Sequence, residues 1–289
     1  MHDPIIHRTI QKITAGTLLE KDDSLAVEEP LEIRLEYGPV TARIKKNISV
    51  TMRTPGHDTE LATGFLFTEG ILPDAAAIQT IHQGQSGAPA IPCNTIHIAL
   101  HPGVPVDLDR LQRHFYTSSS CGVCGKTSIA ALHTLRPPGQ SPSTGQPATH
   151  DEPISAARLY SLPQQLRQQQ SIFDSTGGLH AAALFDRSGR LLTLHEDIGR
   201  HNALDKLIGH QLKQLPLSGD ILVLSGRACF ELIQKAAMAG IRIVAAIGPP
   251  SSLAVQLAEE QGMTLIGFLK EDRLNVYSGA HRINPSRGF

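Results

Sequence analysis

Residues 221–270 read ILVLSGRACF ELIQKAAMAG IRIVAAIGPP SSLAVQLAEE QGMTLIGFLK. Three short apolar runs, Ile221 to Leu224, Ile241 to Ile247 and Thr264 to Leu269, have strand length and are separated by segments of helix length. Ser251 or Ser252 can cap the second of those segments, which runs to Gln261 before Gly262. Strands joined by helical crossovers within one sheet are parallel, so these three should be. Ligands of such sheets gather at the carboxyl ends of the strands. Here those ends are Ser225-Gly226-Arg227, Gly248-Pro249-Pro250-Ser251 and Leu269-Lys270.

Working outward, Ala181 to Phe185 and Leu191 to His195 are further strand candidates, and Leu204, Leu207, Ile208 and Leu212 form one helical stripe. The alternation predicts an α/β sandwich over residues 154–289. Residues 136–153 are dense in Pro, Gly, Ser, Thr and Gln and read as a linker. Before it, Leu25 to Tyr37 and Val40 to Met52 alternate apolar and polar residues around Gly38-Pro39, as two strands of a hairpin do. A helix follows Pro55-Gly56, with Asp58 or Thr59 as its cap, Leu61, Phe65 and Leu66 on one face, and Gly70 at its close. Asn94 to Leu100 reads as a strand, and Leu108, Leu111 and Phe115 as a short helix. Residues 1–135 are therefore expected to form a smaller α+β domain.

The chain has 289 residues, 40% of them hydrophobic and 18% charged, with a formal charge of −1. That is ample apolar material for a globular core, and it gives no bulk attraction to nucleic acid or an anionic membrane. No apolar run approaches membrane-spanning length, and the start Met1-His2-Asp3-Pro4 has no signal-peptide pattern, so a cytoplasmic protein is expected. Four cysteines are too few for a disulfide scaffold. Cys93 and Cys229 stand alone and read as small buried hydrophobes.

Cys121 and Cys124 are different. They sit in Ser118-Ser119-Ser120-Cys121-Gly122-Val123-Cys124-Gly125-Lys126, where free backbone N–H groups and an ammonium would favour a thiolate. A thiolate on a loop can accept sulfur from a donor persulfide and carry it between separate sites. Competing readings are a zinc site completed by two of His180, His195 and His201, and a thioredoxin-like redox pair. A P-loop fails because Ser120 stands where that motif needs glycine. No second C-x-x-C exists, so no tightly held metal is expected.

Further candidates cluster elsewhere. Ser175-Thr176-Gly177-Gly178-Leu179-His180 fits either close backbone approach to a ligand or a tight turn with a buried histidine. Glu196-Asp197-Ile198-Gly199-Arg200-His201-Asn202 carries more polar groups than a helix cap needs; Asp197 could cap while Arg200 or His201 meets a phosphate. Arg227 could bind an anion bidentately.

These blocks, with Glu28-Glu29-Pro30-Leu31, Arg53-Thr54-Pro55-Gly56, Gly64-Phe65-Leu66-Phe67-Thr68-Glu69-Gly70 and Thr176 to Ala182, resemble the formate dehydrogenase accessory sulfurtransferase family from about residue 24 to 278. The resemblance implies a cytidine-deaminase-like C-terminal domain without deamination, for the deaminase zinc signature is missing. It implies that sulfur from a cysteine desulfurase passes to the bis-molybdopterin guanine dinucleotide molybdenum cofactor, bound as substrate, for formate dehydrogenase. It also implies a homodimer. By resemblance Cys121 is the persulfide cysteine and Cys124 its companion, and Phe268, Leu269, Lys270, Glu271, Asp272 and Arg273 form the cofactor-binding segment, with Arg227 and His201 as further candidates for the guanine-nucleotide portion. The alternative is a cofactor-binding chaperone whose cysteines hold a metal or a partner without sulfur transfer.

Overall fold

The computed structural model describes residues 3–84, 94–106 and 152–285. It is a mixed α/β protein with several sheets. The central sheet contains β8 (His180–Phe185), β9 (Leu191–Asp197), β10 (Ile221–Leu224), β11 (Ile243–Ala246), β12 (Thr264–Gly267) and β13 (Asn275–Ser278) in the order β13-β12-β11-β10-β8-β9. Strands β10, β11 and β12 are parallel, as the crossovers require. The flanking strands β8 and β13 run antiparallel to them.

Alternate residues of these strands serve two cores. Leu222 and Leu224 face α4 (Arg200–His210), α5 (Phe230–Met238) and α6 (Ser252–Glu260), while Ile221 and Val223 face α2 (Ala156–Gln169). The expected stripe holds: Leu204, Leu207 and Ile208 are buried on α4 and Leu212 just beyond it. Ser251 caps α6, its hydroxyl accepting from Ala254 N at 3.3 Å.

The second sheet is N-terminal and contains β3 (Glu29–Tyr37), β4 (Ile44–Arg53), β5 (Ile78–Gly84) and β6 (Thr95–Leu100), ordered β4-β3-β6-β5. The hairpin of β3 and β4 is shorter than the alternation suggests. Arg43 donates to the carbonyls of Gly38, Glu36 and Leu100, which holds residues 38–43 as a loop instead of letting the strand start at Val40. Leu25 and Ala26 belong to another hairpin, of β1 (Ile5–Thr14) and β2 (Thr17–Ala26). The helix expected after Gly56 is α1 (Asp58–Thr68), but neither Asp58 nor Thr59 caps it. His57 takes the cap position in the left-handed region (φ 56°), and the Asp58 carboxylate is bound to Arg53. The short parallel pair β7 (Ile154–Ser155) and β14 (Ile283–Asn284) and the helix α3 (Ser171–Thr176) complete the described elements.

One core runs unbroken from Leu31, Ile33 and Leu35 of the N-terminal sheet through Leu61 and Leu66 of α1 to Leu204, Leu207 and Leu222. Helices α1 and α4 meet at two glycines. A Cβ on Gly64 would stand 1.9 Å from the Asp205 carbonyl oxygen, and one on Gly209 would stand 1.9 Å from that of Glu60. Only glycine permits this backbone contact.

Candidate functional site

The carboxyl ends of the parallel strands form one continuous edge. Gly248 N donates to Gly226 O at 3.0 Å, Ala228 N to Pro249 O at 3.2 Å, and Phe268 N to Gly248 O at 3.1 Å. A Cβ on Gly248 would lie 2.9 Å from the Gly226 carbonyl, so these loops close only around a glycine. Three stretches far apart in sequence thus become one surface.

The Phe268–Arg273 segment leaves this edge as a turn. Leu269 is fully buried and its N–H donates to Ala246 O, while Lys270 N donates to Arg273 O at 2.8 Å. Lys270, Glu271, Asp272 and Arg273 are exposed, as is Arg227 at the neighbouring strand end. Phe268 is 39% exposed with a left-handed φ of 52°. A bulky residue in that conformation is a genuine outlier, and here it leaves an aromatic ring part-exposed at the start of the turn.

His180 lies against Gly226, with its Nδ1 3.2 Å from where a Cβ would stand. Burial, then Arg200 and Arg227, hold this imidazole below its ordinary pKa. Ser225 ties the same corner together: its hydroxyl accepts from Ala181 N at 2.8 Å and its N–H donates to Ala181 O at 3.0 Å. The His180 end of the Thr176–Ala182 block is therefore part of the edge.

Most of Glu196 to Asn202 does something else. Asp197 is fully buried and does not cap α4, whose cap residue is Gly199 without a side-chain bond. Its carboxylate meets Lys206 Nζ at 2.7 Å and accepts from Thr54 N at 3.2 Å. Asn202 donates to Met52 O at 2.8 Å, and Glu196 accepts from Ile172 N and Phe173 N at the start of α3. Lys206 Nζ also donates to Thr54 O at 2.8 Å. Arg53, with no exposure at all, binds Asp58 through two bonds of 2.8 and 2.9 Å, Asn94 at 3.0 Å and Glu29 at 3.3 Å. A third knot joins Lys235 to Asp205 at 2.9 Å, Thr68 at 2.8 Å and Glu69 at 3.3 Å. Four of the motif blocks thus form a buried polar seam between the N-terminal layer and α4 and α5.

The end of this motif is different again. His201 Nε2 lies 3.3 Å from Cys229 Sγ and 3.9 Å from Glu231 Oε2. Burial, with Lys235 and Arg200 adding, holds the His201 imidazole down to about 4, while burial pushes the Cys229 thiol up. Cys229 packs against the main core as a partly buried residue, close to the small hydrophobe that the sequence suggests, and it is also the cap residue of α5. Glu231 escaped the sequence reading altogether. The available signal was its spacing in Arg227-Ala228-Cys229-Phe230-Glu231, directly after a strand's carboxyl end.

Cys93, Cys121 and Cys124 lie outside the described residues, as do the helix expected over Leu108 to Phe115 and residues 136–151 of the linker. No helix among the described residues is long and apolar enough to cross a membrane.

Fold and edge together define a mixed α/β protein with exposed cations at the carboxyl ends of two of its three parallel strands. A profile described as the FdhD/NarQ family matches residues 26–284, and the chain belongs to that family. It is 49% identical over 282 residues to the sulfur carrier protein FdhD of Mycolicibacterium paratuberculosis, covering 96% of this chain and 97% of that one. The protein of the same name from Sulfolobus acidocaldarius is 38% identical over 277 residues, covering 95% and 97%. The crystal structure of a formate dehydrogenase accessory protein from Desulfotalea psychrophila shares the fold, with a TM-score of 0.72 at 24% identity over 98% of this chain and all of that one.

Proposed function

We propose that this chain is a sulfurtransferase that accepts sulfur from a cysteine desulfurase as a persulfide on Cys121 and delivers it to the bis-molybdopterin guanine dinucleotide molybdenum cofactor of formate dehydrogenase. The observation that carries this reading is likeness along nearly the whole chain to proteins named sulfur carriers, in a sequence that has the pair Cys121 and Cys124. In the first step the Cys121 thiolate attacks the terminal sulfur of the donor persulfide, and the desulfurase cysteine leaves as a thiolate. Cys124 assists as a resolving neighbour.

The cofactor is a substrate here, and its anionic guanine-nucleotide portion fits the exposed edge best. Lys270, Arg273 and Arg227 supply cations there, and Phe268 offers a part-exposed aromatic ring at the start of the turn. Glu271 and Asp272 sit between the two cations of the turn and oppose a phosphate, which narrows the contact to the flanking residues. His201 directs its Nε2 to Cys229 and Glu231, so we leave it out of the phosphate contacts. The parallel trio covered by helices on both faces supports the cytidine-deaminase-like reading of residues 154–289. A cytoplasmic homodimer without a metal at Cys121 and Cys124 completes the proposal.

The test is to incubate the purified protein with a desulfurase and cysteine, then locate persulfide by mass spectrometry. Persulfide on Cys121 is expected. Cys121→Ala should lose it and abolish formate dehydrogenase activity in a cell that depends on this chain, while folding and nucleotide binding persist. Cys124→Ala should do no more harm than that. Normal activation by the Cys121 variant alongside loss in the Cys124 variant would reverse the two roles, and full activity of the double variant would remove the mechanism.

A further inference from the structure

We propose that His201, Cys229 and Glu231 form a binding site for a divalent transition-metal ion of the zinc class, separate from the sulfur-carrying cysteines and independent of their role. The three donor atoms, an imidazole nitrogen, a sulfur and a carboxylate oxygen, all lie within 4.8 Å of one another. Metal–ligand bonds of about 2.3 Å to sulfur and about 2.0–2.1 Å to nitrogen and oxygen, at tetrahedral angles, put sulfur and nitrogen about 3.6 Å apart and nitrogen and oxygen about 3.4 Å apart. The observed 3.3 and 3.9 Å need adjustments of only a few tenths of an ångström. Both separations measured from the imidazole nitrogen are thus close to those of a bound ion.

The backbone fixes this arrangement. His201 is in the first turn of α4, Cys229 is the cap residue of α5 and Glu231 is in its first turn, and the inner faces of both helices are locked into the main core. Thiolate with imidazole selects zinc, cobalt or a similar ion over magnesium or calcium, which prefer all-oxygen sets. Thiolate and carboxylate together neutralise a divalent charge. Two cations lie near the cluster. Lys235 is engaged by Asp205 and Glu69, and Arg200 precedes His201 in the first turn of α4. The donors retain partial exposure, with 14% for the His201 side chain and 13% for that of Glu231. Three protein ligands with solvent access leave the fourth position for water or an anionic donor, which is the pattern of an exchangeable site, not a closed structural one. The sequence expectation of no tightly held metal covered the whole chain and rested on the single C-x-x-C, which could not see donors brought together from two helices.

The experiment uses the full-length chain, stripped with a chelator and titrated with cobalt(II). To silence the other cysteine pair it is done in the Cys121→Ala/Cys124→Ala variant as well as the native protein. In both, we expect one equivalent to bind with a thiolate-to-cobalt charge-transfer absorption, and zinc to displace it. Adding Cys229→Ser should abolish that absorption, and Glu231→Gln should weaken binding at least tenfold, with circular dichroism verifying the fold of each. Absence of the absorption in the double variant, or its survival in Cys229→Ser, would overturn the proposal. Unchanged affinity in Glu231→Gln would overturn the three-donor site. None of these readouts depends on sulfur transfer, so failure here leaves the persulfide mechanism standing and the converse holds too.

Discussion

The edge of the central sheet and the seam between the two sheets are built from the same kind of sequence, compact blocks rich in glycine and charge, yet they put those residues to opposite uses. At the edge, Arg227, Lys270 and Arg273 stand in solvent and glycines bring backbones together around them. Along the seam, Arg53, Asp197, Lys206, Asp205 and Lys235 are buried, Arg53 held by Asp58 and the other four paired as Asp197–Lys206 and Asp205–Lys235. A charged motif is therefore no evidence of a ligand by itself. What separates the two uses is whether a partner lies across the fold, and that partner is 143 residues away in the bond between Thr54 and Asp197.

The contrast predicts that seam substitutions act on stability and edge substitutions on binding. The largest effect should come from Gly64→Ala, because the new methyl would meet a backbone carbonyl at 1.9 Å with no flexible side chain to yield. Overpacking ordinarily costs about 1–3 kcal/mol; a clash of two helix backbones should reach the exceptional range of about 4 kcal/mol or more. Denaturant titration measures it, and Gly209→Ala should match. A cost below about 1 kcal/mol would mean that α1 and α4 slide apart freely and that the seam is soft.

Asp205→Asn comes next. It leaves the Lys235 ammonium buried with Glu69 as its remaining carboxylate partner, and breaking a buried pair from one side costs about 3–5 kcal/mol. Replacing Asp205 and Lys235 together by apolar residues of similar size should cost less than the single change, which equilibrium unfolding of both variants will show.

A third seam effect depends on pH. His195 is 4% exposed, packed between the rings of His57 and His210, and held down to about 3 by burial first and then by His57, His210 and Lys206. Its unfolded counterpart titrates near 6.5, so between these values only the unfolded chain takes the proton. This group's contribution is fully present above 6.5, and it is lost on acidification at about 1.4 kcal/mol per pH unit. His195→Leu should flatten the acid limb of the stability curve by that slope. An unchanged slope would show that His195 takes its proton as readily folded as unfolded.

These contrasts also explain what the sequence revealed. Strands β10 to β12, the Ser251 cap and helix α1 were legible because periodicity and turn residues are local signals. The hairpin of β1 and β2 was not, since Glu20-Lys21-Asp22-Asp23 hides its alternation and Ile13, Leu18 and Leu19 remain exposed. Asp197 looked like a helix cap because its partners Thr54 and Lys206 cannot be inferred from seven residues of sequence. The meeting of Cys229 with His201 was hidden for the same reason: the two residues belong to different helices. Spacing reveals what the backbone does locally, and only the fold reveals which side chains meet.

The smallest effect in free energy should be the clearest at the edge. Lys270 and Arg273 flank a tight turn, bonded through Lys270 N and Arg273 O, and both side chains are in solvent. Neutralising them should leave unfolding within about 0.5 kcal/mol of the native protein, as for most surface positions. Their attraction for a phosphate is charge-assisted and should contribute about 1.5–3 kcal/mol each where contact is made. Even if solvent screening and the opposing Glu271 and Asp272 reduce the pair's joint contribution to about 1.4 kcal/mol, the double variant Lys270→Ala/Arg273→Ala should bind GDP at least tenfold more weakly. Calorimetric titration at two salt concentrations is the measurement, with the difference between proteins shrinking at higher salt. Affinity that survives the double change, in a protein of native stability, would move the nucleotide away from this turn and toward Arg227 and His180. A loss of stability instead would show that the edge, like the seam, uses its charges to hold the fold together.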